Sequence, residues 1–173
     1  MNHVGPLVKE WATFYSVLAG ATATLLGLLF VAVSLHGRVL HEKQNSAFFR
    51  LARLTLSNYL MLLSYSLQMI VPVEREIQFR IMWTVVGLVG LFWTIRLFFE
   101  TKRLGVKPDP FIMRSYRVSA MTYCFCVLLG QFYFTNFKET LLFAMMPALS
   151  LTFGSIRNSW GLLTMVQSDQ VSS

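Results

Sequence analysis

The sequence predicts an all-α integral membrane protein, a helical bundle of about five transmembrane helices. Three observations predict it. Hydrophobic residues make up 55% of the 173 residues and charged residues only 13%, about half the ~25% of soluble domains. Mean hydropathy is +0.55. The apolar residues also gather into five long runs near the ~20 residues that a spanning helix needs. A soluble chain of this size could bury a core, but not this much apolar surface. No low-complexity segment or second domain is visible, so 1–173 reads as a single transmembrane domain.

The first run, 12–35, carries no charge and meets His36-Gly37-Arg38, where Gly37 suits a helix C-cap. The second, 54–73, lies between Arg53 and Glu74. The third, 81–99, contains only Arg96, close enough to one end to snorkel to the headgroups. The fourth, 118–137, lies between Arg117 and Lys138. The fifth, 140–166, leaves the bilayer near Arg157, and Pro147 predicts a kink within it. Segments 74–80 and 138–140 are short enough to predict tight antiparallel hairpins. Ser46 and the Asp109-Pro110 pair suit N-caps of the second and fourth helices. Residues 1–10 lack the basic region of a secretory signal. Trp11, Trp83 and Trp160 fall near predicted interfaces, as in an aromatic belt.

The formal charge of +7 is read as Lys and Arg facing anionic lipid. Arg38, Lys43, Arg50 and Arg53 flank one connection, and Arg96, Lys102, Arg103, Lys107, Arg114 and Arg117 flank another on the same side, joined by Arg157. The opposite side has Lys9, Arg75, Arg80 and Lys138. The positive-inside rule then places the N-terminus outside and the C-terminus in the cytoplasm.

No Asp, Glu or His lies in the middle of any run, which disfavours proton-coupled transport and intramembrane metalloprotease chemistry. No zinc-protease, nucleophile-elbow or phosphate-loop motif is present. His36 and His41 are poorly spaced for a metal. Cys124 and Cys126 point about 200° apart on a helix and share neither metal nor disulfide. The expectation is no enzyme, no metal and no cofactor.

The starts of the second and fourth helices share Arg-x-x-Arg-(Leu/Val)-(Ser/Thr)-x-x-x-Tyr, read from Arg50 to Tyr59 and from Arg114 to Tyr123. A tandem repeat of helical hairpins explains this, and so does shared membrane-entry composition. Arg residues three apart share a helix face, so Arg50, Arg53, Arg114 and Arg117 are expected in one basic zone. That zone either anchors topology or binds an anion such as a nucleotide or oligonucleotide, since guanidinium forks match phosphate. Along the first helix, Ser16, Gly20 and Thr24 fall at steps of four, and so do Ala19, Ala23 and Gly27, with Ser16, Gly20, Thr24 and Gly27 the candidate packing or pore residues. Such rows serve packing within the chain, or contact between copies around a pore or an oligomer axis. Polar stripes at Ser57, Met61, Ser64 and Gln68, and at Ser115, Ser119, Thr122 and Cys126, should bond neighbouring helices or line a wet path.

The run from Ala21 to Leu35 resembles the first helix of a group of small, uncharacterised bacterial multi-pass membrane proteins. So does Arg157-Asn158-Ser159-Trp160-Gly161-Leu162-Leu163, where relatives tend to have Ala and Asp in place of Ser159 and Gly161. The architecture is also similar to the channel effector of Hailong-type anti-phage defence. That resemblance implies a tetrameric channel opened by DNA oligomers from a partner nucleotidyltransferase; it assigns no residue. The resulting expectation is a homo-oligomeric ion channel gated at the cytoplasmic Arg zone. The alternative is a non-conducting scaffold or accessory subunit of a larger complex.

Overall fold

The computed structural model describes residues 4–40, 47–71, 76–103, 109–131 and 137–171, with side chains over 11–35, 48–71, 77–103, 109–131 and 142–164. Five α-helices account for almost all of them: α1 (Val4–Leu40), α2 (Ala47–Ile70), α3 (Glu76–Arg103), α4 (Pro110–Gln131) and α5 (Phe137–Val171). No strand occurs among the described residues.

The helices are displaced from the apolar runs because apolarity marks where lipid could lie, not where helical hydrogen bonding stops. Arg, Lys and Glu are good helix formers, so α3 continues through Lys102 and Arg103. The expected C-cap at Gly37 is not one: α1 runs on to Leu40, and the residues after Gly37 are all helix-compatible. The expected connection 138–140 also lies inside a helix. α4 ends at Gln131 and α5 is already under way at Phe137. Asp109 does cap α4. Its Oδ1 accepts the Phe111 N–H at 2.8 Å, with Pro110 at the first helical position. Ser46 lies outside the described residues. Pro147 is inside α5, which continues past it.

Two helices are long and apolar enough to cross a membrane, over 11–35 in α1 and 77–103 in α3, with mean hydropathies of 2.1 and 1.8. The other three carry more polar side chains, among them the buried Asn58, Ser119 and Asn158.

The bundle runs up and down. α1 packs chiefly on α2 and α3 chiefly on α4, while α5 closes against α2 and α4. α2 therefore sits centrally. Along it and α4, burial follows the same order from 51 to 67 as from 115 to 131, apart from Leu54 against Val118 and Ser57 against Met121. Tyr15, Ala19 and Thr22 of α1 are buried as Phe79, Trp83 and Val86 of α3 are. Trp83 is thus a core residue against Phe79, not an interfacial one, whereas Trp160 is exposed.

α3 and α4 approach each other closely. A Cβ on Gly87 would lie 2.9 Å from the Tyr123 carbonyl oxygen and from the Val127 nitrogen. A Cβ on Gly90 would strike the Tyr123 ring. At the far end, Arg80 donates from Nε to the Gly130 carbonyl at 3.1 Å and from Nη2 to the Gln131 carbonyl at 3.1 Å. It thereby caps the last turn of α4, where a cation is favoured.

Candidate functional site

The antiparallel order brings the starts of α2 and α4, the end of α3 and the later part of α5 to one end of the bundle. Arg50, Arg53, Arg96, Lys102, Arg103, Arg114, Arg117 and Arg157 all belong to it. The four arginines of the shared motif do not form one open cluster there. Arg53 Nη1 lies 3.0 Å from Glu100 Oε2, and Arg96 Nε lies 3.3 Å from Glu100 Oε1. One carboxylate thus bridges two guanidiniums, offsetting one of their two charges, and joins α2 to α3. Arg50 is buried, and with Arg53 it is close enough to act electrostatically on the Tyr116 hydroxyl of α4. Arg114 and Arg117 are exposed. The asymmetry follows from position. α2 is central, so neighbours cover its first turns, while α4 keeps an open side.

Arg157 is more than a boundary marker. Its Nη2 donates to Ser115 Oγ at 3.2 Å, and its guanidinium carbon lies 5.2 Å from the Phe111 ring centroid. Ser115 Oγ donates to Asn158 Oδ1 at 2.8 Å. This contact ties α5 to α4 at the basic end.

Inward from these cations runs a column of hydrogen bonds between helices. Asn58 Nδ2 donates to Ser119 Oγ at 2.8 Å, and the Tyr123 hydroxyl donates to Asn58 Oδ1 at 3.1 Å. Thr122 and Ser150 hydroxyls are 2.8 Å apart. The Tyr65 hydroxyl donates to the Ala144 carbonyl at 2.6 Å. The α4 stripe of Ser115, Ser119, Thr122 and Cys126 is buried throughout, as interhelical bonding requires. The α2 stripe is divided: Ser57 is buried and Ser64 exposed, while Asn58 beside it makes the bonds. Asn58→Leu should lower stability by about 1–2 kcal/mol, because it orphans the Tyr123 and Ser119 hydroxyls. Thermal unfolding in detergent measures this. Adding Tyr123→Phe to Asn58→Leu should cost less than the two single changes together.

On α1 the row Ser16, Gly20, Thr24 and Gly27 is exposed throughout. A Cβ on Gly20 or Gly27 would meet nothing within 4 Å, so packing within the chain is not its role. The hydroxyls are satisfied by their own helix: Ser16 Oγ donates to the Ala12 carbonyl at 2.7 Å and Thr24 Oγ1 to the Gly20 carbonyl at 3.0 Å. The opposite face of the same helix, through Tyr15, Ala19, Thr22 and Leu29, is buried. Small-residue packing within the chain occurs instead at Gly87, Gly90 and Gly130, which α1 overshadowed in the sequence.

Cys124 is exposed and Cys126 buried, and both are free. Among the described residues, no group of three His, Cys, Asp or Glu side chains could hold a metal ion. Comparison of the chain with protein-family models, curated proteins and solved structures gives no match.

Proposed function

We propose that the chain is a multi-pass protein of the bacterial inner membrane. In this reading it assembles with copies of itself along α1 to conduct ions, and an anionic ligand acts at its basic end. One observation carries the reading: polarity is inverted. Asn58, Ser119, Ser155 and Asn158 are buried, while Leu35, Met121, Phe153 and Trp160 are each more than two-thirds exposed, with further large apolar side chains exposed on every helix. A folded monomer in water rarely shows contiguous apolar patches beyond a few hundred Å². Lipid reverses the preference and leaves internal hydrogen bonds as the bonding between helices.

Conduction is supported by the outer row of α1. It is small enough for close contact between copies, and its hydroxyls could line a wet path without an acid or a metal. The matched burial along α2 and α4 supports a tandem origin for the two hairpins. The ligand class is a nucleotide or oligonucleotide. Arg114 and Arg117 support it, being exposed and forked, whereas Arg53 is already held by Glu100. Purified protein in planar bilayers should give stepwise currents that respond to short DNA oligonucleotides or mononucleotides. Arg114→Glu with Arg117→Glu should weaken that response by about tenfold or more, and Lys replacements should keep part of it. Folded protein that leaves the bilayer sealed under all these ligands would refute the channel.

A further inference from the structure

A groove separates α1 from α5, which touch each other only slightly. Its cavity volume is about 220 Å³. Leu29, Tyr59 and Leu162 form its buried floor, and Leu28 and Leu163, 62% and 55% exposed, form its rims. Among the described residues, no charged side chain lines it. Its polar atoms are satisfied from within: the Tyr59 hydroxyl lies 3.3 Å from Ser159 Oγ, which donates to the Ser155 carbonyl at 3.0 Å.

Resting on the membrane reading above, we infer that this groove holds one acyl chain of an anionic phospholipid. Three features select that occupant. The first is shape. A helix about 10–12 Å across cannot enter a slot of this volume, whereas a single hydrocarbon chain can, and the exposed rims open sideways to lipid. The second is depth. Along α2 the lining runs from Phe48 to Tyr59, about 16 Å at ~1.5 Å per residue. One leaflet's share of a ~30 Å hydrocarbon core is about 15 Å. The third is charge. Phe48 stands in the first turns of α2 near Arg53, whose side chain stays half exposed beside its Glu100 partner, so the chain would enter from the basic end, where a phosphate headgroup meets cations. Tyr59 and Ser159 close the inner end and ask for no polar partner, which suits a terminal methyl group.

The test uses the full-length protein, reconstituted in vesicles of phosphatidylcholine with phosphatidylglycerol spin-labelled on its acyl chain. The wild type should show a motionally restricted lipid population. Ala32→Phe fills the slot from α1 and should reduce that population by about tenfold. Ala32→Leu is a milder filling change in a good helix former and should give the same direction if the larger side chain disturbs folding. Equal restricted fractions in the wild type and a folded filling variant would overturn the inference. Alkaline carbonate extraction separates the two readings. A chain that carbonate releases fails the membrane reading, and a resistant chain whose groove restricts no lipid fails this one alone.

Discussion

Gly87→Leu is expected to drive α3 away from α4 and to destabilise the bundle by about 3 kcal/mol or more. The first side-chain atom alone would sit 2.9 Å from main-chain atoms of Tyr123 and Val127. Main-chain atoms cannot rotate aside as a side chain can, so the helices themselves must separate. The damage would spread, because Tyr123 also holds Asn58 at 3.1 Å and so joins α4 to α2. Thermal unfolding in detergent, followed by the fluorescence of buried Trp83, measures the effect. Gly154→Ala is the control. Its Cβ would meet only Val118, at 4.0 Å, so helix propensity should dominate and stability should hold or rise slightly. Equal melting temperatures for Gly87→Leu and the wild type would show that the two helices do not approach this closely.

Gly20→Leu is expected to do the opposite: leave the folded chain intact and abolish its association with copies. A side chain at Gly20 has open space around it, and leucine is a better helix former than glycine. The melting temperature of the monomer should therefore not fall. If α1 lies at an oligomer axis, a bulky side chain in the row of Ser16, Thr24 and Gly27 blocks close contact. Light scattering in detergent should then report monomers, and bilayer currents should disappear together with the oligomer. An unchanged oligomer would retire α1 as the axis. The two glycine substitutions thus separate contacts inside the chain from contacts between chains.

The sequence made the number and order of the helices legible, because an apolar run long enough to span lipid has few other solutions. It also showed the Asp109 cap, since an Asp-Pro pair at a helix start has a defined geometry. Helix ends were less legible. Nothing after Gly37 breaks a helix, and Lys138 to Thr140 look like a loop only if charge is taken to end one. The basic zone was half legible. Spacing puts Arg50 with Arg53 and Arg114 with Arg117, but it cannot reveal Glu100, whose partner Arg53 stands 47 residues away in the chain. Arg157 belonged to the same end of the bundle, and only the pairing of α5 with α4 identifies Ser115 and Phe111 as its partners. The role of Gly87 and Gly90 was not read from the sequence, which does not distinguish a glycine facing another helix from one facing outward, as on α1.

In the membrane reading proposed above, the uneven polarity of the helices also bears on how the chain would enter a bilayer. α1 and α3 are apolar enough to partition by themselves, and each immediately precedes a helix whose inner side holds amides and hydroxyls. A segment carrying Asn58, or Ser119 and Thr122, gains little from lipid until a neighbour accepts its hydrogen bonds. Integration would therefore proceed in pairs during synthesis, each greasy helix escorting its polar successor. α5 would come last, docking onto a surface that the first four helices had already made.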